Sequence, residues 1–100
     1  MSAVSTVLYP KGTKFNMDYY LSSHMKKVGD DLKQHGLQSW SVYEYPPESD
    51  YLVQATLIWK DEQSAQNAMG TGDMKEILAD VPNFSDKQPA FWSGKVAGSG

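Results

Sequence analysis

Residues 16–36 read NMDYYLSSHMKKVGDDLKQHG. They run directly into LQSWSVYEY (37–45) and, after PPESD, into YLVQATLIWK (51–60). In the first segment Met17, Leu21, His24, Val28 and Leu32 recur at helical spacing and fall on one face. Asp18, Ser22, Lys26 and Lys33 lie opposite, so the stripe is expected to face the interior. Asn16 is placed to cap this helix, Asp18 suits its positive end, and Gly36 suits the left-handed position beyond its last turn. The next two segments change period from helix to strand and are rich in β-branched and aromatic residues. Pro46-Pro47 and a short polar stretch separate them, so they are expected to pair as an antiparallel hairpin.

The rest of the chain completes the arrangement. Residues 3–9 (AVSTVLY) alternate as a first strand that Pro10-Lys11-Gly12 stops. Asp61 caps a short helix over 62–69, with Ala65, Ala68 and Met69 on one side. Gly70-Thr71-Gly72 reads as a linker. Asp73 with Glu76 resembles a capping box for a helix over 74–80, which Pro82 and Asn83 break. Residues 90–96 (AFWSGKV) form a last strand.

The order strand, helix, strand, strand, helix, strand is the ferredoxin-like split β-α-β pattern of an α+β protein. It implies a four-stranded antiparallel sheet with two helical regions on one face. The other face should be polar if water covers it, but the third strand carries Leu52 and Ile58 there, beside Gln54 and Thr56. An uncovered apolar sheet face is a large adhesive patch. A homodimer paired through that face is therefore expected.

Composition narrows the function classes. One hundred residues, 40% of them apolar, suit a single domain over 1–100, with about 3–97 ordered and 98–100 frayed. The net charge is −3, and all nine cations are lysines. With no arginine fork and no basic stripe, nucleic-acid binding is not expected. No run approaches a membrane span, and residues 1–11 lack a secretory pattern, so a cytoplasmic location is expected. Cysteine is absent, which removes disulfides, thiolate nucleophiles and cysteine metal sites.

The chemistry turns on His24, an imidazole in a core-facing stripe. It must be hydrogen-bonded within the core or line a pocket. Tyr20 lies one turn away on roughly the same face, and the pair could orient a phenolic or enolic substrate with His24 as general acid or base. The alternative is a packed histidine satisfied by Tyr20 or by a strand residue such as Gln54. Ser22 and Ser23 point away from His24 and cannot form a nucleophile–base pair with it. His35 lies roughly 16 Å along the helix, too far to share a metal ion, and is placed to favour the helix dipole. No metal site and no cofactor are expected. Aromatic residues make up 12% of the chain, and those facing the helices suit a cavity for an aromatic ligand. Strand placement offers Trp40, Tyr43 and Gln54 as further substrate contacts.

The stretches YPKGTKFNMDYYLSSHM and DVPNFSDKQPAFWSGKV resemble the EthD family, over roughly residues 3–97. Met25-Lys26 stands where many relatives have a proline. The resemblance implies a dimeric α+β barrel with a pocket between sheet and helices and His24 on its wall. It implies a cofactor-independent enzyme acting on an aromatic or polyketide-like small hydrophobic molecule by isomerisation, cyclisation or decarboxylation. A non-catalytic ligand-binding or stress-associated homodimer and a cofactor-free monooxygenase are the alternatives. Carried over residue by residue, His24 and Tyr20 are the catalytic candidates. Asp80, Asn83 and Phe84 would lie on the loop entering the last strand, near the pocket mouth, although Asp80 and Asn83 are also natural helix-stop and turn residues.

Overall fold

Strict alternation in the third strand sets the core. Val53, Ala55, Leu57 and Trp59 are all buried, and the residues between them are half-exposed. The computed structural model describes residues 2–100. Its strands are β1 (Ala3–Pro10), β2 (Leu37–Glu44), β3 (Tyr51–Trp59) and β4 (Ala90–Lys95), in the sheet order β2-β3-β1-β4 with every pair antiparallel. Register places Ala3, Ser5, Val7 and Tyr9 of β1 beside Trp59, Leu57, Ala55 and Val53. These eight side chains share the face that the helices cover. Trp59 is fully buried there, and its indole N–H donates to Ser5 Oγ at 2.9 Å, which satisfies two polar groups inside the core.

The long helix covers residues 17–35 in four pieces: α1 (Met17–Tyr19), a π-helical turn (Tyr20–His24), α2 (Met25–Leu32) and a 3-10 turn (Lys33–His35). Asn16 caps it as expected, its side chain accepting from Tyr19 N–H. Gly36 closes it in the left-handed region at φ 99°. A Cβ on Gly36 would lie 2.7 Å from the Ser64 Cβ, so glycine is needed there for space as well as for backbone freedom.

The second helical region is α3 (Glu62–Met69) and α4 (Gly72–Ala79). Asp61 caps α3 through Ser64 N–H at 2.7 Å, as its position implies. The expected Asp73–Glu76 box does not form. Thr71 caps α4 instead, accepting from Met74 N–H, because the helix begins at Gly72 and places Asp73 inside the first turn. Ala65 and Ala68 are buried as expected, whereas Met69 is substantially exposed at the end of α3.

Both helical regions lie on one side of the sheet. The opposite side presents Val4, Thr6, Leu8, Leu52, Ile58 and Trp92. It mixes these apolar residues with Gln54 and Thr56, as the alternation in β3 implies. At the β4 edge the helix-side positions are also open: Phe91, Ser93 and Lys95 are all exposed, because no helix reaches over them.

Candidate active site

The helical stripe departs from the expected phase in one place. Met25 N–H donates to the Tyr20 carbonyl, five residues back, so one extra residue is wound into the turn. That insertion turns Tyr20 and Met25 inward with His24 and swings Leu21 out to solvent. Leu21, placed on the core face by regular spacing, is therefore corrected to a surface residue. Such turns recur at functional sites because they aim side chains that a regular helix would not.

His24 is 5% exposed and held on three sides. Its Nδ1 lies 3.0 Å from Asp80 Oδ2. The Tyr20 ring stacks on the imidazole with centroids 5.4 Å apart and planes 15° from parallel, and the Phe84 ring packs at 4.5 Å. Asp80 caps the C-terminus of α4, where Pro82 and Asn83 turn the chain. Its other oxygen accepts from Tyr19 OH at 2.6 Å and from Asn83 Nδ2 at 2.8 Å. An antiparallel bridge between Phe15 and Ser85, with Asn16 N–H donating to the Phe84 carbonyl at 2.8 Å, ties the start of the long helix to this turn.

Two opposing influences fix the protonation state. Burial lowers the His24 pKa and outweighs the Asp80 carboxylate, which raises it, so the ring's pKa falls below its ordinary 6.5. Burial also opposes ionisation of Asp80. The hydrogen bonds from Tyr19, Asn83 and His24 together exceed that penalty and hold the carboxyl below the usual range. An ionised carboxylate only accepts, so the neutral imidazole carries its proton on Nδ1 and leaves Nε2 as a lone-pair base.

Among the described residues Nε2 has no hydrogen-bond partner, and His24 lines a cavity of about 240 Å³ between helices and sheet. Val28, Leu32, Ile77, Ala55 and Leu57 give this space apolar walls, and Tyr9 and Tyr20 join His24 at one end. Burial raises the pKa of both phenols, so they remain protonated. Met69, Leu78 and Phe91, all substantially exposed, form its rim beside the uncovered β4 edge. The arrangement is a neutral imidazole and two phenols lining a mostly apolar chamber, with Gln88 the other polar residue on its wall among those described.

Of the residues expected at the site, His24 and Tyr20 line this cavity. Asp80, Asn83 and Phe84 gather round His24 from behind. Asp80 and Asn83 border an outer cleft with Tyr19 and Ser23, so their expected place near the pocket mouth is corrected. The remaining three lie elsewhere. Tyr43 and Gln54 face each other on the open side of the sheet, where Gln54 accepts from Tyr45 OH at 2.6 Å. Trp40 packs its indole edge against Gly29 at the outer flank of the long helix. Gln54 is therefore not the partner of His24; Asp80 is. Tyr19 is not singled out by the sequence, and Tyr9 enters only as one of the aromatic residues that could face the helices, although it sits at an inward position of a strand whose alternation is clear.

His35 also finds a carboxylate, with Nε2 2.9 Å from Asp73 Oδ2. Asp73, Asp31 and Glu76 come within ion-binding distance of one another at the surface. Lys27 Nζ lies 2.7 Å from Asp31 and 3.3 Å from Glu76, so a cation of the chain already offsets part of that negative charge. No helix among the described residues is long and apolar enough to cross a membrane.

No family model matches the chain, and no curated protein matches it in sequence. Solved structures do. An EthD-like protein from Ralstonia eutropha JMP134 superposes with a TM-score of 0.80 at 22% identity, covering 96% of this chain and 92% of that one. The chain has the EthD-like fold. An EthD family protein from Bacillus halodurans C-125 aligns with a TM-score of 0.76 at 21% identity, covering 96% of this chain and 99% of the other. SnoaB of Streptomyces nogalater, a cofactor-independent oxygenase, aligns at 0.67 with 9% identity over 98% of this chain and 93% of its own. At these identities the EthD-like likeness speaks for the fold and leaves chemistry to the site itself.

Proposed function

We propose that this protein binds a small, largely apolar molecule in the cavity beneath the long helix and that His24 Nε2 takes and returns one of its protons. Isomerisation, cyclisation and decarboxylation all belong to that class of chemistry. The observation that carries the reading is the His24–Asp80 pair: a half-buried carboxylate holds the Nδ1 side of an imidazole that lines an apolar chamber. Asp80 and Tyr19 act as positioning residues, since neither lines the chamber.

The cavity reading is tested with 2-naphthol, whose fluorescence reports burial. One site per chain is expected, with affinity in the micromolar to submillimolar range for so few atoms. Ala55→Leu, which extends a side chain from the sheet floor into the space, should abolish that binding while the protein stays folded. Undiminished binding to the variant would place the ligand elsewhere.

The open sheet face is proposed to pair with that of a second copy. Leu8, Leu52, Ile58 and Trp92 supply its apolar part, and Trp92 is 66% exposed in the single chain. Light scattering at micromolar concentration should give twice the chain mass, and Trp92→Glu should shift the protein toward half that value. A wild-type monomer at that concentration would contradict the pairing.

A further inference from the structure

The polar atoms inside the chamber say more about the ligand than its apolar walls do. Tyr9 and Tyr20 are each 1% exposed, and among the described residues neither hydroxyl has a hydrogen-bond partner. Yet among the described residues no side-chain oxygen or nitrogen is sealed from contact without a partner. Each hydroxyl therefore borders open space, and the cavity is the space that both tyrosines line with His24. The Tyr9 and Tyr20 rings meet edge to face with centroids 5.9 Å apart, and Tyr20 stacks on the imidazole. Two donors and one base thus share one end of the chamber. Leaving buried hydroxyls without a protein partner costs stability, about 1–3 kcal/mol for a group with none at all, so such groups are informative wherever they occur.

Among the described residues no lysine lines the cavity, and its other walls carry no charged group. A carboxylate or phosphate entering it would lose its hydration with no cation to replace it. A neutral ligand is required. The volume of about 240 Å³ lies between the roughly 150 Å³ that accepts benzene and the roughly 300 Å³ where drug-sized pockets begin. One ring or two fused rings fit.

Building on the proton-transfer reading, we propose that the ligand is an uncharged, enolisable ketone of one or two rings whose carbonyl oxygen is held by the Tyr9 and Tyr20 hydroxyls. His24 Nε2 removes the α-proton: the C–H bond breaks, an N–H bond forms, and the electron pair moves into a C=C bond with the negative charge on oxygen. The two phenols, both kept protonated, donate to that enolate and stabilise it as it forms. Return of the proton to the same carbon exchanges hydrogen. Return to a vinylogous carbon isomerises the compound. Tyr9 is then a ligand-contacting residue of the site on the same footing as Tyr20, and it comes from the sheet rather than from the helix.

2-Tetralone, naphthalene and 2-naphthoate separate the possibilities, because they share a bicyclic shape and differ in their oxygen. The ketone is expected to bind at least about tenfold tighter than naphthalene, a gain of about 1.4 kcal/mol, with 2-naphthoate weakest. The C=O stretching band of bound 2-tetralone should move to lower frequency. Tyr9→Phe and Tyr20→Phe should each reverse part of that move and weaken the ketone several-fold, with naphthalene binding unchanged. Thermal melting checks that both variants are folded, and the infrared band of the wild type reads the contact without any substitution. Equal binding of ketone and naphthalene with an unshifted band would overturn the carbonyl assignment and leave the apolar chamber standing. Binding of none of the three would overturn both it and the reading on which it rests.

Discussion

His24→Gln is expected to lower the rate at which the protein exchanges the α-protons of 2-tetralone by about a thousandfold, within the roughly 10²–10⁴-fold that a positioned general base contributes. Glutamine is close to histidine in length and can still donate an N–H to Asp80 Oδ2, so the contact at 3.0 Å has a successor. It has no basic nitrogen to present to the cavity. Binding of 2-naphthol should survive with little change, because the apolar walls are untouched. Loss of exchange with binding retained separates a base from a packing residue. Full exchange by the variant would remove His24 from the chemistry and favour a protein that only binds.

Asp80→Asn is the second large effect, and it acts through the histidine. The carboxylate only accepts, which holds the Nδ1–H tautomer and leaves Nε2 basic. An amide can instead offer an N–H to Nδ1 and favour the opposite tautomer, with the proton on the nitrogen that should act as base. A drop of about 10²–10³-fold in kcat/KM is expected, as for other oriented histidines that lose their carboxylate. The pH profile gives the distinguishing signature. In the wild type, burial lowers the His24 pKa and activity should fall only on an acid limb below pH 6.5. Removing Asp80 takes away the influence that raises this pKa, so the limb of the remaining activity should move to lower pH.

Stability should follow the same groups with a fixed sign. His24 binds its proton less readily when folded than when unfolded, so stability falls as pH drops through 6.5 and the unfolded chain gains the proton. Asp80 is held low in the folded state. Its contribution is present above the ordinary carboxylate value of 3.8 and is lost as pH falls through its folded value.

Much of the fold was legible because it rests on local periodicity. Asn16 and Asp61 have the right side chain at the right boundary, and both cap as their position implies. The alternation of β3 fixed which residues enter the core. That same alternation turns Gln54 outward once Val53 points inward, and strand parity already argued against Gln54 in the site. Leu21 was misplaced because a π-helical turn changes the phase within one turn and leaves no mark in a regular period. The His24–Asp80 contact joins residues 56 positions apart. Locally Asp80 reads only as the end of a helix, and it is that, capping α4 while it holds the imidazole. A backbone role and a chemical role coincide in one side chain, and periodicity reports only the first.

The outer cleft gives the pair a second face. Asp80 borders it with Tyr19 and Asn83, while His24 lines the chamber on the other side. His24 thus joins the chamber to the Asp80 network, and the proposed chemistry turns on its protonation state.

Nitrogen-15 NMR of the labelled imidazole reads that state directly. A neutral His24 protonated at Nδ1 across the neutral range, with an Nε2 resonance that moves when 2-tetralone is added, is the expected result. A ring protonated at Nε2, or one whose Nε2 signal ignores the ketone while the protein binds it, would contradict the assignment of His24 as the base.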